Sequence, residues 1–343
     1  MAAISQKLVV IVIIAIIAAG VIGWALGALT RPAPPPTPEK IKMAFLFPGS
    51  ITDTAWNEAG YRAMEAFRGK HPEVEVAWVQ GVYDPAAIEP TIRSYCEQGY
   101  NLIVGVGFQY GEPMAKLSEE YSNVYFLAIA GAPQYVGPRV SVADVRTDQS
   151  GFIVGYLAVK MSKSNHVAFV AGMAVAELSR SEIGQRKGIE YAGYDPDVAL
   201  HVHYVGDFHD VPGAKMATTA LIEEHGVDVV KAMGDGVQLG AISAAKEKGV
   251  YAVMSGTYHP EIYPEGMLMY EVWHWEIVFE EWYNDYVTGK LEKEGGKVYW
   301  LSLENEGLEI ILGGGLVPPE LQKEIQTLIE KIKAGEIDTG FKP

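Results

Sequence analysis

Short apolar runs alternate with segments of helical spacing from residue 41 almost to the C-terminus. Ile41–Phe47 is an apolar run of strand length; Pro48-Gly49-Ser50 breaks it, and from Asn57 onward Ala59, Ala63 and Ala66 recur at helical spacing. The alternation predicts further strands at 74–79, 101–106, 124–129 and 140–145, with helices at 86–98 and 113–121. A second series follows: helix 151–161, strand 166–171, helix 180–192, strand 200–205, helix 214–224, strand 227–233, helix 239–248 and strand 250–254. Beyond it, 267–275 is rich in aromatics, 277–286 is helical, 299–312 reads as a hairpin about Asn305-Glu306-Gly307, and 322–334 is an amphipathic helix. Strands that are apolar throughout and alternate with helices predict parallel sheets covered on both faces. Two such series in tandem predict two doubly wound lobes with a cleft between them, where ligands collect beyond the strands' carboxyl ends.

The turns at those ends carry polar and aromatic side chains. The first holds Asp53, Trp56 and Asn57. An amide both donates and accepts, so Asn57 can read the edge of a planar heterocycle while the indole stacks on its face. The alternative is that Trp56 staples the helix start to the core. Later strands end in Gly107-Phe108-Gln109-Tyr110, Gly206-Asp207-Phe208-His209-Asp210, Gly234-Asp235-Gly236 and Ser255-Gly256-Thr257-Tyr258-His259.

The 343 residues carry a formal net charge of -16, which argues against a nucleic-acid partner. Cys96 is the single cysteine, so no intramolecular disulfide forms. Dinucleotide, P-loop and nucleophile-elbow fingerprints are absent, and no cofactor is implied. His201, His203 and His209 with Asp207 and Asp210 lack a second ligand pair at metal-site spacing, so no metal site is expected. Asp144 and Asp148 read as a solvated connection between lobes rather than a catalytic pair. Ahead of the alternating region, residues 1–7 form a short tail, and 8–29 is an uncharged run of 22 residues. As a helix it spans roughly 33 Å, the thickness of a bilayer core. A retained anchor is expected rather than a cleaved signal, followed by a stiff proline-rich stalk at 30–40.

The order of GSITDTAWNEAGY, DQSGFIVGYLA, GDFHDVPGAK and ISAAKEKGV along residues 41–340 resembles the basic membrane protein family of ABC-transporter substrate-binding proteins, which includes purine nucleoside receptors. The resemblance implies a type I periplasmic-binding-protein fold, two Rossmann-like lobes joined by three crossovers that close on a small ligand. It implies a first lobe at 41–146, with part of about 272–295 returning to it, and a second at 147–271, completed by about 296–340. It also implies that Trp56 and Phe208 sandwich a base and that Asn57 meets its edge. Where nucleoside-binding relatives place an aspartate and a lysine for the ribose, this chain has Gly256-Thr257-Tyr258-His259-Pro260 and Met269-Tyr270-Glu271-Val272-Trp273-His274-Trp275. That departure is closer to the branch binding a bare base such as adenine. The expected ligand residues are Asp53, Trp56, Asn57, Phe108, Phe208, Asp235, Tyr258, Glu271 and Trp273, with Asp235 and Glu271 accepting from ligand N–H groups. Of Trp273 and Trp275, one is expected in the cleft, because alternate strand residues face opposite ways. The implied partners are a purine base or nucleoside, ABC permease subunits, and the membrane through the N-terminal segment; a monomer suits lobe closure. A ligand sensor of the same fold, and a nucleoside hydrolase using Asp144 and Asp148 or Asp207 and Asp210, are the alternatives.

Overall fold

The computed structural model describes residues 40–343. The expected anchor at 8–29, and the stalk up to residue 39, lie outside the described residues. Among those described, no helix is long and apolar enough to cross a membrane. The apolar runs form twelve strands: β1 Lys42–Leu46, β2 Glu75–Val79, β3 Leu102–Val106, β4 Tyr125–Ile129, β5 Val140–Val145, β6 Val167–Ala171, β7 Leu200–Tyr204, β8 Val229–Met233, β9 Tyr251–Gly256, β10 Met267–Trp273, β11 Val298–Leu301 and β12 Leu308–Leu312. They build two six-stranded sheets, ordered β11-β5-β4-β3-β1-β2 and β12-β10-β9-β8-β6-β7. Every pairing is parallel except the antiparallel pair of β10 with β12.

The helices are α1 Trp56–Lys70, α2 Pro85–Glu97, α3 Gly111–Glu120, α4 Thr147–Met161, α5 Ala176–Tyr191, the short α6 Pro196–Ala199, α7 Val211–His225, α8 Asp235–Lys248, α9 Trp275–Val287, the short α10 Lys290–Glu294 and α11 Pro319–Lys333. They cover both faces of each sheet, as strands buried on both sides require. In β6, Val167, Phe169 and Ala171 join one apolar cluster, while Ala168 and Val170 join another with Ala214, Val237 and Ala241. The period-two alternation thus feeds two cores. In the first lobe, Phe45 meets Phe279 of α9 at 5.1 Å between ring centroids. Ile88, Ile92, Met114 and Leu117 cover the opposite face.

The chain crosses between lobes three times: from β5 to α4, from β10 to α9, and from β11 to β12. The third crossing corrects the hairpin expected at 299–312. β11 lies beside β5 in the first sheet, and β12 lies beside β10 in the second. Two short strands around a turn-like Asn-Glu-Gly read as a hairpin in sequence, but each finds an unfilled sheet edge instead. The first lobe therefore reclaims the chain through Leu301, and the strand that completes the second sheet starts at Leu308 rather than from about 296.

Helices α4 and α5 touch backbone to backbone. A Cβ on Gly155 would stand 2.1 Å from the Gln185 carbonyl oxygen, and one on Gly188 2.0 Å from that of Phe152. Only glycine permits that approach. It fixes the start of α5 beside the first crossover, where the Thr147 hydroxyl donates to the Glu177 carbonyl at 2.5 Å.

Candidate functional site

A narrow cleft opens between the carboxyl ends of the two sheets. The first lobe lines it with Pro48, Ala55 and Trp56 from the β1–α1 connection, Tyr83 after β2, and Phe108 and Gln109 after β3. The second lobe adds Glu177 and Leu178 at the start of α5, Phe208 and His209 after β7, and Met233, Gly234 and Asp235 around the end of β8. Ser255 and Trp273 complete the lining from β9 and β10. The cleft encloses about 570 Å³ of space between protein atoms, part of it open to solvent. The lobes meet around it: the Thr257 hydroxyl donates to the Thr54 carbonyl at 2.5 Å, and Phe108 faces Phe208 at 6.3 Å between centroids.

Each aromatic wall has a local cause. The Trp56 indole N–H donates to the Val106 carbonyl at 3.0 Å, and its ring packs edge-on against Trp273 and Trp275, each at 5.6 Å. Phe208 packs close against the backbone at the β6 exit, where a Cβ on Gly172 would come within 2.5 Å of its ring. Gly234, at φ +124°, borders the same ring in a conformation that favours glycine.

The polar groups fall into two buried clusters. In one, the Asp53 carboxylate accepts from the backbone N–H groups of Ala55, Asn57 and Glu58 and caps α1. It also accepts from the Asn57 amide at 2.6 Å, while Asn57 Oδ1 accepts from the Gly49 N–H at 2.9 Å. Asp235 stands across from it, 3.4 Å from the Asn57 amide nitrogen. Burial raises the Asp235 pKa well above the carboxylate range, and Asp53, its hydrogen-bond partner, raises it further. In the other cluster, burial pushes the Glu177 carboxyl up to about 8, helped by Asp144 and opposed by its own backbone N–H and by Arg180. Arg180 is held by Asp144 at 2.5 Å. Glu177 is 4% exposed, and its Oε2 has no hydrogen-bond partner. The Gln109 Nε2 is also buried without one. Among the described residues, no lysine or arginine lines the cleft.

Trp56, Phe108, Phe208, Asp235 and Trp273 thus come together from the expected set. Trp275 is buried in the core. Asp53 and Asn57 stand behind the lining, bonded to each other and to α1. Tyr258 packs against Tyr270 at 4.8 Å, outside the lining. Glu271 is fully buried 2.7 Å from Lys231 Nζ, and accepts from the Ser255 hydroxyl at 2.9 Å. The histidines separate: His201 pairs with His166 at 3.0 Å and stacks on His225, whereas His209 borders the cleft. Among residues the sequence reading missed, Glu177 sits in a helical turn that the reading began three residues later, at Arg180. Only an acidic residue just past a strand end signalled it.

Residues 40–340 match the Bmp family, described as ABC transporter substrate-binding protein PnrA-like. The chain belongs to this family. As a Bmp protein it is a solute-binding component of an ABC transporter, not an enzyme. Of the carboxylates weighed for hydrolysis, Asp144 holds Arg180, Asp148 holds Arg146 at 2.7 Å, and Asp210 caps α7 through the Gly213 N–H. Curated relatives include the transcriptional activator protein med of Bacillus subtilis, 28% identical over 86% of this chain and 90% of the relative. They also include a purine-binding protein of Brucella abortus, 23% identical over 93% and 87%. Among solved structures, an ABC-transporter solute-binding protein of Aeropyrum pernix superposes with a TM-score of 0.75 at 20% identity, covering 87% of this chain and 92% of the other. The two-lobed type I periplasmic-binding-protein fold is shared with such structures, including a galactofuranose binding protein with a TM-score of 0.58.

Proposed function

We propose that this Bmp protein captures a purine base, or the base end of a purine nucleoside, between its lobes and delivers it to a membrane permease. The carrying observation is an aromatic slot with walls from both lobes, edged by buried carboxyl and amide groups and, among the described residues, lined by no lysine or arginine. A flat heterocycle gains about 1–3 kcal/mol from each aromatic face it stacks on. The edge groups select among heterocycles, because a ligand without the matching group leaves them buried and unpaired. A phosphorylated ligand would meet carboxyls and no cation. Closure supplies the mechanism: ligand touching both lobes binds the closed form better and shifts the population towards it. The name of the Brucella relative supports a purine. The missing ribose-type aspartate and lysine favour the bare base. The leader and stalk suit a domain held at the outer membrane surface.

Calorimetric titration of the full chain in detergent with adenine, guanine, hypoxanthine, adenosine, inosine and ribose tests the reading. Base binding that weakens at least tenfold in Trp56→Ala and Phe208→Ala supports it. Protein free of co-purified ligand that binds ribose alone, or no purine at all, refutes it. A second reading, a receptor passing ligand occupancy to a regulatory partner, is favoured by one observation: the Bacillus subtilis relative is named as a transcriptional activator.

A further inference from the structure

Glu177, Gln109 and Trp273 each line the cleft with a buried polar atom that has no partner, and Glu177 is the carboxyl among them. Its Oε2 is buried without a hydrogen-bond partner, and it lines the ligand space directly. An unpartnered buried carboxyl costs free energy unless a ligand completes it. Its surroundings also fix its protonation. With Asp144 and Arg180 behind it, Glu177 forms a cluster of two buried carboxyls and one guanidinium. Arg180 is committed to Asp144 at 2.5 Å. Ionising Glu177 as well would leave a net negative charge in a buried site, which is strongly disfavoured.

We propose that Glu177 is a specificity-determining residue of this cleft. Its carboxyl group, in the O–H form, pairs with an edge of the heterocycle where a hydrogen-bond acceptor stands beside an N–H. A neutral carboxylic acid offers one donor and one acceptor side by side. That matches the ring nitrogen and exocyclic amine of adenine, or the N–H and carbonyl of hypoxanthine. A carboxylate would offer two acceptors and demand an edge with two donors. Gln109, whose Nε2 is also unpartnered, lines the same space from the first lobe. A ligand engaging both groups ties the lobes together. This inference rests on the purine reading and adds the group that selects the edge.

The test uses the full chain in detergent, titrated calorimetrically with adenine between pH 7 and 9. Glu177→Gln keeps a donor beside an acceptor; Glu177→Leu removes both. Glu177→Gln is expected to bind adenine within about threefold of wild type at pH 7, and Glu177→Leu at least tenfold more weakly. Wild-type affinity is expected to fall about tenfold from pH 7 to pH 9, as a carboxyl titrating near 8 loses its proton, and Glu177→Gln to show no such fall. The charged groups that face Glu177 are Asp144 and Arg180. Asp235, paired with Asp53, and His209 border the same cleft. A pH fall that persists in Glu177→Gln would assign the titration to that second cluster and overturn the inference. Equal loss in Glu177→Gln and Glu177→Leu would show that the ionised form is required and refute it. Wild-type affinity in a Glu177→Leu variant of unchanged melting temperature would show no contact with ligand. Wild type that binds no purine would instead remove the reading beneath it.

Discussion

The Lys231–Glu271 pair gives the most decisive test of how the cleft floor is built. Lys231 of β8 and Glu271 of β10 flank β9, and their side chains are 1% and 0% exposed. Nζ lies 2.7 Å from Oε1, and the Ser255 hydroxyl on β9 bridges both partners. At that separation the attraction is about 6 kcal/mol for an effective dielectric constant of about 20. Much of it is offset by removing both ions from water. Burial accordingly lowers the Lys231 pKa, while Glu271 works to raise it. Removing one partner is far worse than removing both, because the survivor is left charged in the core. Lys231→Met should cost about 3–5 kcal/mol, and Glu271→Leu a similar amount. Lys231→Met with Glu271→Leu should lie within about 1 kcal/mol of wild type, giving a coupling energy of several kcal/mol. Urea unfolding of the four proteins, without ligand, measures it. A Lys231→Met loss below about 1 kcal/mol, or a double variant that loses the sum of the two singles, would refute this account of the floor.

Other outcomes follow from single sites. His274 lies at the second crossover between Glu276 and Glu309, at 3.1 and 2.9 Å, and these carboxylates, Glu276 foremost, hold its pKa at about 9 against burial. A raised pKa means stability fully present below about 6.5 and lost as pH rises through about 9. The loss should be about 1 kcal/mol, discounting for partial exposure, and His274→Gln should flatten the melting temperature across that window. Gly155→Ala places a methyl group 2.1 Å from the Gln185 carbonyl oxygen, so it should destabilise by about 1–3 kcal/mol in the same urea assay. No change would mean that α4 and α5 have room to separate.

The alternation of apolar runs and helical spacing determined most of the architecture. Strands such as Leu102–Val106 and Val167–Ala171 are apolar at every position because both of their faces are covered, and this is visible without coordinates. The tandem order of two such series determined the two lobes and the cleft; strand-end turns pointed to Trp56, Phe108, Phe208 and Asp235, and the family resemblance to Trp273. Tertiary structure decided what periodicity leaves degenerate. β11 and β12 look alike locally, and only the unfilled edges of two sheets separated them. Glu271 looks like a ligand acceptor until Lys231, forty residues earlier in the chain, is found 2.7 Å away. Helix starts were read late at α5, α4 and α8, because a first turn must satisfy its N–H groups and carries polar residues that resemble loop. That bias hid Glu177, whose importance comes from Asp144 and Arg180 behind it and open space before it. A side chain's protonation and its lack of a partner are properties of its surroundings, and those exist only once the lobes have folded.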